Sequence, residues 1–344
     1  MLKRIAAGVA GLAVAATCTI AIAASLSGAG ATFPAPVYAK WAEAYRNQTG
    51  TQINYQAIGS GGGIRQINAS TVDFGASDKP LKPDDLATGG LAQFPTVIGG
   101  VVPVVNLPGI APGSLKITGA MLADIYRGIY PYWDDPHLTG LNPGVKLPHE
   151  KISVVHRSDG SGTTFLFTSY LAMKAPHWAS GPGGNDSVNW PTGIGGKGND
   201  GVAALVRQTP GAIGYVEYAY AKQNRMIYIQ MQNKAGKWVE PTAANFAAAA
   251  AGAKWGSAPG FYLLLLDQPA ANAWPITGAT FILVHTKQAD AATGHEVLAF
   301  FDWAYKNGDG AAQSLDYVTF PDSVKGLIRA SWRKIVGPDG KPVY

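Results

Sequence analysis

Residues 152–171 read ISVVHRSDGSGTTFLFTSYL. A β-branched run from Ile152 to His156 leads through Arg157 into a loop of Ser, Asp and Gly, and Thr163-Thr164 follow. Phe165, Leu166, Phe167, Tyr170 and Leu171 then fall at helical spacing. The segment reads as a strand, a short polar loop and a helix with one buried face. Similar units recur outward from it, and their alternation marks an α/β fold. Toward the N-terminus, Pro34 to Arg46 is helical, with Val37, Tyr38, Trp41, Ala44 and Tyr45 on one face. Gln52 to Ile58 is a strand, Ile64 to Ala69 a short helix, and Val72 to Ala76 a strand ending at Ser77-Asp78. Thr96 to Asn106 is a long β run interrupted by Gly99-Gly100. Toward the C-terminus, Trp274-Pro275 marks a crossover, Thr280 to His285 a strand, and Glu296 to Tyr305 a helix. Trp41 and Trp303 read as core.

The chain opens with Met1-Leu2-Lys3-Arg4, an apolar run from Ile5 to Ile22, and small residues at Ala21 and Ala23. This pattern is that of a secretory signal peptide over residues 1–23, cut before Ala24. A permanent anchor would need about 20 strongly apolar residues, whereas this run is rich in Ala, Gly and Thr. Cys18, the single cysteine, lies inside the leader, and Ala15-Ala16-Thr17 before it is a poor lipoprotein box. The exported chain therefore has no disulfide and relies on its own core. Lys and Arg total 27 against 22 Asp and Glu, and no basic cluster recurs after the leader, which argues against nucleic acid as a partner. Charged residues make up only 14% of the chain, against about 25% in typical domains.

Three places share one pattern: a strand end or turn, a Gly/Ser/Thr-rich loop, then a helix. They are Gly28 to Phe33 with Pro34 at the first helical turn, Gly59 to Gly63, and Asp159 to Thr163. A helix N-terminus leaves backbone N–H groups without internal partners and carries partial positive charge. Glycine lets a ligand approach, and such ends bind phosphate-like anions. Each loop alone reads first as an ordinary capped helix start; three together, with Arg157 beside the last, point to an oxyanion site. Asp159 is either a plain N-cap or the residue that holds the Arg157 guanidinium. Asp78 is either a turn residue before Lys79-Pro80 or a carboxylate facing the anion. In the second case it would accept a proton that phosphate carries near neutral pH and sulfate lacks.

In order along the chain, GAGATFP (28–34), IGSGGG (58–63), VDFGASD (72–78), FPTVIGGV (94–101), DGSGT (159–163), GAIGYVEYA (211–219) and FDWAY (301–305) resemble the periplasmic phosphate-binding proteins of ABC-type phosphate importers, the PstS family. Many relatives carry Ser-Ser-Gly-Gly where this chain has Ser60-Gly61-Gly62-Gly63. The resemblance implies a two-lobed periplasmic binding protein of the type II-like class. Two mixed-sheet α/β domains would be joined by two crossover strands, with the ligand cleft between them. Lobe I would comprise 24–97 and 276–344, lobe II 98–275, and the crossovers Thr96 to Val102 and Trp274 to Ala279. It further implies one dehydrated inorganic phosphate held by Thr32, the Phe33 N–H, Ser60, Ser161, Gly162 and Thr163. Arg157 would be the arginine, Asp78 the proton acceptor and Asp159 the partner of Arg157. No metal and no cofactor are implied. The protein would be a periplasmic monomer whose partners are phosphate and the membrane permease subunits of the importer.

Other readings remain in view. Sulfate, molybdate or arsenate capture would suit the helix ends, but sulfate and molybdate leave Asp78 without a role. Sugar capture would need stacked aromatics, and amino acid capture a carboxylate for the ammonium group. An exported phosphatase would need a metal set or an activated nucleophile. His295-Glu296 is followed by Val297-Leu298-Ala299 and so lacks the second zinc histidine. Gly195-Gly196-Lys197-Gly198 lacks the Ser or Thr of a nucleotide loop, and neither Ser60 nor Ser161 sits in Gly-x-Ser-x-Gly.

Overall fold

The computed structural model describes residues 25–344; the leader, its cut before Ala24 and Cys18 lie outside the described residues. The first half of the fold is built from β1 (Ser25–Gly30), α1 (Ala35–Thr49), β2 (Gln52–Ala57), α2 (Ser60–Asn68), β3 (Phe74–Ser77) and the long β4 (Leu91–Val105). The second adds β5 (Ser153–Arg157), α3 (Gly162–Lys174), β6 (Ile194–Gly196), α4 (Gly198–Gln208), β7 (Ala212–Glu217) and α5 (Tyr218–Gln223). The chain then returns through β8 (Ile276–His285) and α6 (Ala291–Asn307). Eight strands follow the order β2-β1-β3-β8-β4-β7-β5-β6 in one curled, ten-stranded mixed sheet, whose two further short strands pair beside β8 and β4. β1 runs parallel to β2 and β3, β8 antiparallel to β3 and β4, and β5 parallel to β7 and β6. The architecture is α/β and two-lobed.

β4 changes partner along its length. Its residues Leu91 to Gly100 pair with β8, and Val101 to Val105 pair with β7. The partner changes between Gly100, opposite Thr277, and Val101, opposite Glu217. Aromatic rings press on the strand at that point. A Cβ on Gly99 would lie 2.9 Å from the Phe33 ring, and one on Gly100 would collide with Phe246. Pro95, which has no N–H to give a ladder, is accommodated by a bulge. Phe281 pairs with Pro95 and Thr280 with Val97, so Thr96 is left over, and its hydroxyl bonds that of Tyr38 at 2.7 Å.

The structure corrects two expectations. The helix expected from Ile64 begins at Ser60, so Gly61, Gly62 and Gly63 are helical. Their weak helix propensity is overridden by crowding. A Cβ would lie 2.9 Å from Ile58 at Gly62, and 2.6 Å from Ala29 O and Gly30 Cα at Gly63. Trp303 is only half-buried, its indole N–H donating to Gln48 Oε1 at 2.6 Å. Trp41 is core, with Trp133, Trp178, Trp274 and Trp332.

Gly63→Ala should therefore lower stability by about 1–3 kcal/mol, because the atoms it meets are backbone and cannot rotate away. Gly326, exposed in the helix Asp322–Ser331 with nothing within 4 Å of its Cβ position, should gain about 0.5–1 kcal/mol on replacement by Ala. Urea unfolding of both variants measures this; equal effects would remove the crowding argument.

Candidate functional site

β5 delivers Arg157 to the sheet edge, and the turn beyond it places α3 with its N-terminus against the other lobe. Ser161 caps α3 by accepting from the Thr164 N–H at 3.1 Å. Gly162, the first helical residue, is pressed so closely on lobe I that a Cβ would lie 2.5 Å from Asp78 Cβ and 2.6 Å from Ser60 Oγ. Only glycine fits this approach. Across the cleft, Gly61 N–H donates to Gly160 O at 2.9 Å, so the first turn of α2 and the loop before α3 meet backbone to backbone.

The Arg157 guanidinium is buried, its side chain 1% exposed. Nε donates to Asp159 Oδ1 at 2.8 Å and Nη2 to Asp159 Oδ2 at 2.5 Å. This is the two-pronged pairing that suits a planar guanidinium. Asp159 Oδ1 also accepts from Gly198 N–H at 3.0 Å, at the start of α4. Burial alone would raise the Asp159 carboxyl, but the hydrogen bonds and charge of Arg157, with the Gly198 N–H, outweigh it and hold the pKa below the usual range. Arg157 Nη1 is buried and bonds no protein acceptor. A buried, charged donor of this kind calls for an anionic partner.

Asp78, 1% exposed, stands at the end of β3. Thr280 Oγ1 donates to its Oδ1 at 2.7 Å, and its own N–H donates to Ser60 Oγ at 3.2 Å. Burial pushes its pKa up to about 7, against the opposing pull of Thr280, Arg157, Ser60 and Thr163. At neutral pH this carboxyl is thus poised to take or give a proton. Thr32 and Phe33 close the site from the turn after β1. The Thr32 carbonyl accepts from Tyr220 OH at 2.7 Å and the Phe33 carbonyl from Tyr317 OH at 2.6 Å. Thr32, Phe33, Ser60, Asp78, Arg157, Ser161 and Thr163 are all buried, and Gly162 is buried among them; Asp159 lies at their edge.

Four neighbours of the site escaped the sequence reading: Thr280, Tyr220, Tyr317 and Asn199. Asn199 opens α4, is fully buried, and lies within bonding distance of Thr32 and Thr163. Its sequence signal is a fourth Gly-rich helix start, Gly195 to Asn199. At the cleft rim, Lys79 Nζ reaches Asn185 Oδ1 at 2.8 Å and Asp186 Oδ1 at 3.1 Å. His156 faces away, its ring stacked on Trp190. Among the described residues no three His, Cys, Asp or Glu side chains are grouped to hold a metal, and no helix is long and apolar enough to cross a membrane.

Residues 16–307 match the family model of the PBP superfamily domain, and with two lobes around a buried polar cleft the chain is a binding protein of that superfamily. It is 52% identical over 321 residues to the phosphate-binding protein PstS of Pasteurella multocida, covering 93% of each chain. Identity to that of Haemophilus influenzae is 52% over 317 residues, 92% of this chain and 95% of the other. The chain belongs to the PstS family of phosphate-binding proteins. A solved human phosphate binding apolipoprotein shares the fold, with a TM-score of 0.71 at 22% identity over 89% of this chain and 94% of that one.

The raised pKa of Asp78 gives a signed prediction. Below about pH 7 the carboxyl is protonated and can donate to an anion that brings no proton; above it the carboxylate repels that anion. Sulfate affinity should therefore rise as pH falls from about 8 toward 7, by up to about tenfold per unit, and level off between about 7 and 5, where Asp78 is already protonated. Asp78→Asn should bind sulfate with little pH dependence. Titration calorimetry across that range decides it, and a flat wild-type profile would remove Asp78 from the discrimination.

Proposed function

We propose that this chain captures inorganic phosphate between its lobes and delivers it to the membrane permease of an ABC-type importer. The observation that carries the reading is the buried Arg157 Nη1, left for a ligand by a guanidinium whose other two nitrogens are taken by Asp159. The phosphate is held by Arg157, by Thr32, Ser60, Ser161 and Thr163 through their hydroxyls, and by the Phe33 and Gly162 N–H groups. Asp78 accepts a phosphate proton, and Asp159 orients Arg157. Lobe I comprises 24–97 and 276–344, lobe II 98–275. The protein works as a periplasmic monomer after removal of residues 1–23. It binds without chemistry, as relatives named phosphate-binding proteins support.

Energetics fit this reading. Removing water from a buried anion could cost tens of kcal/mol if nothing replaced it. Micromolar affinity corresponds to only about −8 kcal/mol, so most of the donor set offsets dehydration and closure. Sulfate, molybdate or arsenate is the second reading. Asp78 disfavours the first two, which bring no proton near neutral pH, and leaves arsenate as the nearest rival.

Calorimetric titration of the phosphate-stripped protein should give one-to-one phosphate binding and no sulfate response at about pH 8. Arg157→Ala should weaken phosphate capture by roughly a hundredfold or more. Wild-type affinity in that variant would displace the site from this cleft, and silence of the wild type to phosphate would end the phosphate reading.

A further inference from the structure

A hydroxyl has one hydrogen to give and two lone pairs to receive. Beside a buried anion it helps only if its hydrogen points at the anion, so something else must occupy its lone pairs. The site hydroxyls are loaded in this way by protein N–H groups. Ser161 Oγ accepts from Thr164 N–H at 3.1 Å, and Ser60 Oγ from Asp78 N–H at 3.2 Å, with Asp78 Oδ2 a long 3.5 Å from the Ser60 hydroxyl. The other two are loaded by one residue. Thr32 Oγ1 accepts from Asn199 Nδ2 at 2.7 Å and from Asn199 N at 3.2 Å, so both its lone pairs are engaged. Thr163 Oγ1 accepts from the same Nδ2 at 3.3 Å.

The orientation of the Asn199 amide is itself determined. Its Oδ1 accepts from the Glu217 N–H at 2.9 Å, which leaves Nδ2 as the group facing the two threonines. Asn199 belongs to lobe II by its place on α4, and Thr32 reaches it from the turn after β1 in lobe I. With Thr32 drawn away, as lobe separation requires, its lone pairs are open to water and its hydrogen has no set direction.

We propose that Asn199 is a positioning residue for anion capture: it fixes the hydrogen-bond polarity of Thr32 and Thr163, and so turns Thr32 into a donor only when the lobes are closed. The inference rests on the phosphate reading and adds to it a link between closure and donor orientation. It also gives a physical reason for a fully buried asparagine behind the ligand groups. An apolar residue there would leave each threonine free to present a lone pair to the anion.

The test is a double-mutant cycle of Asn199→Ala and Thr32→Val, read by phosphate titration. Asn199→Ala alone should weaken phosphate binding by roughly tenfold or more; in the Thr32→Val background it should do so by a clearly smaller factor, about threefold, because only the Thr163 hydroxyl is left for it to direct. A purely structural role would give the same factor in both backgrounds, and that additivity would overturn the proposal. Should Asn199→Ala fail to fold, Asn199→Asp takes its place, keeping the shape and the acceptor toward Glu217. Its repulsion of the anion is present in both backgrounds and cancels in the cycle. Wild-type titration separates the two levels: no phosphate binding there overturns the function itself, while binding with an additive cycle overturns only the role of Asn199.

Discussion

The buried pair of Arg157 and Asp159 is the interaction around which the cleft is arranged. A guanidinium with its side chain 1% exposed is stable only if it is paired and hydrogen-bonded. Asp159 meets Nε and Nη2 and is itself fixed by the Gly198 N–H. The start of α4 is thereby tied to the loop before α3. The pair also sets the direction of Nη1, which cannot turn to find another partner. A lysine in this place would offer one rotatable point charge and lose that direction.

Closeness between backbones is the second constraint, and it explains why so many site residues lack side chains. Donors from two lobes can surround a small ion only if the lobes touch. Gly61 and Gly160 do so by a hydrogen bond, and Gly162 meets Asp78 and Ser60 with no room for a methyl group. Around this contact, Tyr220 and Tyr317 hold the carbonyls of Thr32 and Phe33. The Tyr317 hydroxyl, whose hydrogen goes to Phe33, also lies 3.0 Å from the buried Glu217 carboxyl. Burial raises the pKa of that carboxyl well above its usual value, and it also accepts from the Ala219 N–H at 2.9 Å.

Much of this was legible from residue order. The run Ile152 to Leu171 gives a strand, a turn and a helix by periodicity alone, and Arg157 and Asp159 fall where the turn puts them. The helical state of Gly61 to Gly63 was not legible, because glycine disfavours helix locally and only Ile58, Ala29 and Gly30 packing against it decide otherwise. Trp303 was misplaced for a related reason: helical spacing says which face a residue is on, not how far the neighbouring helix covers it. Thr280 and Tyr317 lie more than 200 residues from Asp78 and Phe33 respectively, and no local pattern announces such a contact. Asn199 was visible as part of a glycine-rich helix start, yet its role depends on Thr32 from the opposite lobe.

The charge arithmetic of the cleft has a consequence for specificity. Arg157 and Asp159 cancel, and Asp78 with a pKa near 7 contributes between zero and minus one. The walls therefore offer no net positive charge to an anion. On the proposed reading, attraction would come from aligned N–H groups, helix ends and hydroxyls, all of which act at short range and only on a correctly placed ligand. A positively charged pocket would hold any oxyanion, with an affinity that fell steeply with salt. On the proposed reading, a near-neutral pocket of donors with Asp78 as its acceptor would respond instead to the number of protons on the ligand, the property that separates phosphate from sulfate.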